Sequence, residues 1–282
     1  MSSVASVRGH HGWRRWINLA TVGSVVIALF VLLPLYWMLA SSFKSQGNVS
    51  ASPPQLFPSP ISTSSYHAAF NDGFGGFLAN SIVVAVCSTA LVLVLGIGAG
   101  YALARLPVRG KYPLMVSLLM ISVFPTIAVV PSLYIVMRTI GWLNTYQGLI
   151  LPYTAFNLPF AVWILRNYFL GISRSMEESA RIDGAGSLRT LVQVIVPQVT
   201  PGIFTAGVFT FTASWTEFLM ALSFDFEKKT IPVGIASFGA QFTVPYGAYF
   251  AASVIAVVPI AVVVLAFRKA VVSGLTAGAV KG

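Results

Sequence analysis

Six long apolar stretches, at about residues 17–42, 77–104, 113–137, 147–165, 202–224 and 246–267, constrain this chain more than any other feature. A helix rises about 1.5 Å per residue and the hydrocarbon core of a bilayer is about 30 Å thick, so each stretch has the length of a membrane-crossing helix. The stretches are continuous rather than alternating, which argues against barrel strands. Composition agrees, with 56% hydrophobic and 9% charged residues among 282 and a mean hydropathy of +0.83. Soluble domains carry about 25% charged residues, and disordered chains need low hydrophobicity. The expected fold class is an all-α integral membrane protein with six transmembrane helices.

The few charges set the orientation. Arg8, Arg14 and Arg15 precede the first stretch, so the positive-inside rule puts the N-terminus in the cytoplasm, and six spans return the C-terminus to the same side. The cytoplasmic basic set is then Arg8, Arg14, Arg15, Arg105, Arg109, Lys111, Arg166, Arg174, Arg181, Arg189, Arg268, Lys269 and Lys281. Lys44, Arg138, Lys228 and Lys229 stay outside. Glu177, Glu178 and Asp183 are the cytoplasmic acids, Asp72, Asp225 and Glu227 the external ones, and Glu217 falls in the fifth stretch. The whole formal charge of +10 therefore sits on one side, which reads as a topology signal rather than as nucleic-acid binding. Arg14-Arg15 before an apolar run faintly resembles a twin-arginine leader, but the run exceeds a signal-peptide core and reads as a retained anchor. The expected organisation is a cytoplasmic segment 1–16, a six-helix domain 17–268 with a cytoplasmic loop 169–201, and a cytoplasmic tail 269–282.

Several chemistries lack their residues. Cys87 is the sole cysteine, and adjacent His10-His11 with His67 lack metal-ligand spacing. No metal site or catalytic triad is expected, and no G-x-x-x-x-G-K-[ST] phosphate loop is present. Gly96-Ile-Gly98-Ala-Gly100 lacks dinucleotide-fingerprint spacing, and Gly96 with Gly100 reads as a close-packing face. Pro34, Pro125, Pro131, Pro152, Pro159 and Pro259 lie within the stretches and each can kink its helix. The proline-containing segment 43–76 is either a lid over the outer surface or a spacer.

Most of the remaining signal lies in residues 175–201, SMEESARIDGAGSLRTLVQVIVPQVTP. Ser175 with Glu178 has capping-box spacing and predicts a helix start. Gly184 after Asp183 is placed for a left-handed C-cap. A second helix is predicted from Ser187 through Leu188, Leu191, Val192, Val194 and Ile195, with Pro197 at its end. Two short helices about a glycine turn suit insertion into a groove on a partner, or else they simply cap the bundle.

Glu178-Ser179-Ala180-x-x-Asp183-Gly184-Ala185, followed by Ile195-Val196-Pro197 and Pro201, resembles the EAA loop of ABC importer permeases, in the D-G-A form usual in sugar importers. Ser179 replaces the first alanine and Val196 a leucine. Asn80-Ser81-Ile82 and Ser214-Trp215-Thr216-Glu217-Phe218 resemble two further family elements, and the C-terminal nine residues resemble the tail of MalG-like subunits. The resemblance implies a type I ABC importer permease (MetI-like) fold in the plasma membrane of a bacterium. It implies a second homologous permease, a dimer of ABC ATPase subunits and an extracytoplasmic substrate-binding protein as partners, within membrane lipid and without nucleic acid. No cofactor is expected on this chain, since ATP and Mg²⁺ belong to the ATPase subunits, and the chain is expected to be non-catalytic.

The residues that the resemblance assigns to ATPase coupling are Glu177, Glu178, Ala180, Asp183, Gly184, Ala185 and Pro197. Leu275, Thr276 and Lys281 in the tail are expected at the ATPase interface. Trp215 and Glu217 are candidates for the solute path, against the alternative that Glu217 holds helix packing through a hydrogen bond. The expected solute is a sugar, with trehalose as the leading case. A related importer for glycerol phosphate, amino acids, phosphate or metal is the first alternative. A secondary transporter or membrane-embedded enzyme is the second, disfavoured because a single acid lies within the spans and no repeat is evident.

Overall fold

The computed structural model describes residues 19–239 and 244–277. Their regular secondary structure is entirely helical, with no strand among them. In chain order the elements are α1 (Leu19–Ser42), α2 (Gln46–Val49), α3 (Ser64–Asn71), α4 (Phe74–Arg105), α5 (Lys111–Val123), α6 (Thr126–Thr139), α7 (Tyr146–Leu170), α8 (Arg174–Ile182) and α9 (Ser187–Arg189). A π-helical turn, Thr190–Ile195, leads into α10 (Val196–Gln198), α11 (Thr200–Thr216), α12 (Leu219–Phe224), α13 (Ile231–Gly239) and α14 (Tyr246–Ala277).

Four helices are each long and apolar enough to cross a membrane: α1 from Thr21, α4, α7 and α14. Counting two bent pairs as single spans raises the number to six. The third apolar stretch is not one rod but α5 and α6, meeting at 90°. The break falls where Phe124 is extended (φ −65°, ψ 134°) ahead of Pro125, because the residue before a proline is driven out of helical geometry and the proline supplies no N–H. Pro34, Pro131, Pro152, Pro159 and Pro259 stay inside continuous helices. The fifth stretch also differs from a single span over 202–224. Its helix α11 begins at Thr200, turned 80° from the preceding helical segment, and stops at Thr216, and α12 follows after Glu217 and Phe218.

The centre of the fold is α4 against α7, with α11 alongside both and α14 outside α11. The closest approach uses the two glycines singled out in the sequence. A Cβ on Gly96 would lie 3.1 Å from Leu165 Cδ1, and one on Gly100 would lie 3.1 Å from both Arg166 N and Leu165 Cβ. A Cβ on Gly98 would meet nothing within 4 Å, so alternate residues of one triplet face α7 and open space. Below this contact, Tyr101 and Ala104 of α4 share a buried cluster with Leu165 and Phe169 of α7, Ile195 of the π turn and Ala206 of α11. At the other end, Phe74 and Ala85 of α4 pack with Trp215, Ile231, Phe238 and Ala248. By contrast, α1 buries none of its apolar window inside this chain.

The segment between α1 and α3 is an ordered loop folded back on the end of α1. Ser62 N donates to Phe43 O at 2.8 Å and closes it, and Tyr36 Oη donates to Leu56 O at 2.9 Å. Lys44, fully buried, donates to Gln55 O at 2.6 Å and lies 4.1 Å from the centre of the Trp37 ring. Next, α3 rests on α14. The glycine asymmetry gives a direct check of the central packing. Gly100→Leu is expected to destabilise the detergent-solubilised protein by about 1–3 kcal/mol through overpacking against the α7 backbone. Gly98→Leu is expected to stay within about 0.5 kcal/mol of the parent, with both read from thermal unfolding.

Candidate functional site

The predicted helix–glycine–helix segment is present and projects from one end of the bundle. Its first helix, α8, starts two residues earlier than the capping-box reading places it. Ser173, not Ser175, is the N-cap: extended at φ −65° and ψ 137°, it accepts from Ser175 N at 3.3 Å. The exit is a complete Schellman turn. Gly184 sits at φ +79°, its N–H donates to Arg181 O at 3.0 Å, and Ala185 N donates to Ala180 O at 2.9 Å. That backbone region penalises any Cβ, which is why glycine occupies it.

The second helix starts at Ser187 as expected, but Pro197 does not end it. The chain widens into the π turn over residues 190–195 and continues to Gln198. The widening lies directly before Pro197, whose missing N–H and ring disrupt the normal i→i−4 bond. The path then turns sharply at Val199 into α11.

The hairpin has two faces. Outward are Glu178, Asp183 and Gly184, with Ile182 86%, Leu188 74% and Val192 55% exposed. Inward are Glu177, Ala180, Thr190 and Ile195, all buried. Ala185 is half-buried at the turn and Pro197 is exposed. The adjacent Glu177 and Glu178 therefore separate: Glu178 faces out, whereas Glu177 points into the chain.

Glu177 Oε1 lies 2.6 Å from Arg105 Nε, with the two side chains only 7% and 6% exposed. Tyr101 Oη donates to Glu177 Oε2 at 3.3 Å. A second guanidinium nitrogen, Arg105 Nη2, donates to Ile172 O at 2.7 Å in the turn between α7 and α8. The Tyr101 ring meets Phe169 edge-on at 5.6 Å. One guanidinium at the last turn of α4 thus holds both the entry and the first turn of α8. Sequence reasoning did not find Arg105 or Tyr101 here, because Arg105 at the end of an apolar run reads as a topology charge.

At the opposite end of α11, Glu217 occupies a helix break. Its Oε1 accepts from Met220 N at 2.9 Å, and its Oε2 accepts from Ala221 N at 3.1 Å and from Tyr153 Oη at 2.6 Å. The carboxylate caps the free amides that open α12 and ties α12 to α7. Trp215 is buried, its Nε1 donating to Ala256 O at 3.1 Å and its ring stacked on Phe211. The structure brings both side chains into helix packing. Leu275 and Thr276 lie on the last turn of α14, which runs past the expected boundary at Phe267, while Lys281 lies outside the described residues. Among the described residues, no group of three or more His, Cys, Asp or Glu could hold a metal ion.

Residues 92–276 match the family described as the binding-protein-dependent transport system inner membrane component. The chain is 36% identical to the sulfoquinovosyl glycerol transport system permease protein SmoH of Agrobacterium fabrum, with 100% of each chain covered. It is 37% identical to the trehalose/maltose transport system permease protein MalG of Thermococcus litoralis, over 94% of this chain and 96% of that one. It is 38% identical to the trehalose transport system permease protein SugB of Mycobacterium tuberculosis, over 96% and 100%. Its fold is that of a chain in the crystal structure of a bacterial ABC transporter involved in the import of the acidic polysaccharide alginate. That likeness has a TM-score of 0.74 at 24% identity, covering 89% of this chain and 95% of the other, and speaks for the fold alone. With its long apolar helices and near-full-length relatives, this is a multi-pass membrane protein that belongs to the family of binding-protein-dependent transport system inner membrane components, the permeases of ABC importers.

Proposed function

We propose that this chain is one of two permease subunits of an ATP-driven sugar importer in a bacterial plasma membrane, forming half of the translocation path. The observation that carries the coupling role is the outward face of α8 and α9, which presents Glu178, Asp183, Ile182 and Leu188 around a Schellman turn. In this reading the hairpin seats in a cleft on an ATPase subunit, and closure of the ATPase dimer carries it as a rigid body. A displacement of this kind switches a bundle between inward- and outward-open states. Glu178 and Asp183 contact the ATPase, Gly184 and Ala185 fix the turn, and Ala180 and Pro197 keep the arms in place.

Each bent pair counts as one span, giving six, with both termini cytoplasmic. The basic residues around the hairpin support that orientation. The partners are a second permease, a dimer of ATPases carrying ATP and Mg²⁺, and an external solute-binding protein. Leu275, Thr276 and Lys281 reach the ATPase interface. Trp215 and Glu217 shape the wall of the path by holding α11, α12 and α14 in position instead of touching solute, consistent with their saturated hydrogen bonds.

The solute is a disaccharide or small glycoside, with trehalose first. The support is the shared chemistry in the names of three near-full-length relatives, two for trehalose and one for a glycosylated glycerol. In the reconstituted complex with its binding protein, trehalose or maltose is expected to stimulate ATP hydrolysis, and glycerol phosphate and amino acids are not. Stimulation by an amino acid alone would overturn the sugar assignment. Gly184→Val forces a β-branched residue into the left-handed region, at about 1–2 kcal/mol or more of local strain. Uptake by that variant is expected to be abolished while its amount in the membrane stays normal, and normal uptake would contradict the hairpin's role.

A further inference from the structure

We propose that Arg105 and Glu177 form the mechanical link that passes movement of the α8–α9 hairpin into the transmembrane bundle, with Tyr101 as a positioning residue. The inference rests on the reading of the hairpin as the ATPase contact and adds the route by which force leaves it. The starting point is how little else orients α8. It buries only two side chains, Glu177 and Ala180, and its main packing partner is the π turn of its own hairpin. Apolar burial, which is non-directional, therefore contributes little to the attitude of α8 against the bundle.

The directional contacts converge on one guanidinium. Arg105 engages the Glu177 carboxylate and the Ile172 carbonyl at once, and Tyr101, one helical turn back along α4, takes the other carboxylate oxygen. The contact with Glu177 is a buried ion pair through Nε, and the Nη2 bond to the Ile172 carbonyl is charge-assisted, so one planar group is held from two sides. A buried ion pair is poor evidence for stability, since well-packed apolar replacements often stabilise a fold equally well. Its distinguishing property here is that it fixes α8 relative to α4.

The helix at the receiving end is suited to transmit movement. It has 32 residues and no internal proline, whereas α1, α6, α7 and α14 each contain at least one. At about 1.5 Å per residue it spans about 48 Å, from the hairpin end to Phe74 in the buried cluster at the far end. Just above Arg105, Gly100 holds α4 against the backbone of α7. A displacement of α8 thus reaches the far end of the bundle through one continuous helix.

The test uses the whole complex (both permeases, ATPases and binding protein) in proteoliposomes, reading co-purified ATPase and solute imported per ATP hydrolysed. The decisive variant is Arg105→Met with Glu177→Met, which keeps volume and removes the buried charges together. It is expected to retain the ATPase subunits but to import at least about tenfold less solute per ATP, and the charge swap Arg105→Glu with Glu177→Arg is expected to recover import to within about threefold of the parent. A parental solute-to-ATP ratio in the double methionine variant would overturn the link. So would loss of bound ATPase in both double variants, which would make the pair a scaffold only. Leu188→Asp, on the outward face, separates this failure from failure of the underlying reading. ATPase binding and import both unchanged in that variant would overturn the hairpin contact itself, whereas their loss alongside normal coupling in the double methionine variant would overturn the link alone.

Discussion

The close approach of α4 and α7 at Gly96 and Gly100 is the contact on which the remaining geometry depends. It joins α4 to α7 and brings the last turn of α4 beside the end of α7. There Tyr101 meets Phe169, and Arg105 reaches the turn that opens α8. In a bilayer there is no hydrophobic gain from helix association, so small residues that permit backbone proximity are an effective means of joining helices. The position of the α8–α9 hairpin follows from that proximity.

Polar groups are placed with the same economy. Glu217 satisfies both carboxylate oxygens with hydrogen bonds, whereas Glu177 accepts one from Tyr101 on Oε2 and faces Arg105 as an ion pair through Oε1. Glu217 uses the free amides of a helix start in place of a cation. Glu177 uses a cation, and does so at the boundary where α4 leaves the bundle.

Much of this was legible in the sequence, for identifiable reasons. Apolar run length marks α1, α4, α7 and α14 because hydropathy reports the solvent directly. Gly184 and the Gly96/Gly100 pair were legible because each answers a local steric demand that only glycine meets. The bends were less so. Pro125 breaks its helix by 90° while Pro152 and Pro159 lie in one continuous helix, and that outcome depends on which neighbours re-satisfy the freed carbonyls. The opposite fates of Glu177 and Glu178 could not be read either. Successive helical residues point about 100° apart, and no local rule says which of two adjacent acids faces Arg105, 72 residues earlier in the sequence. The π turn before Pro197 belongs to the same class, a long-range packing solution to a local defect.

The central claim is that the outward face of the hairpin sits in an ATPase cleft. A photo-crosslinking residue at position 182, where the native isoleucine is the most exposed side chain of the hairpin's apolar face, tests it most directly in the assembled complex. The account predicts a crosslinked product containing the ATPase subunit, lost when that subunit is omitted. Crosslinks confined to lipid or to the partner permease, with the ATPase bound elsewhere, would contradict it.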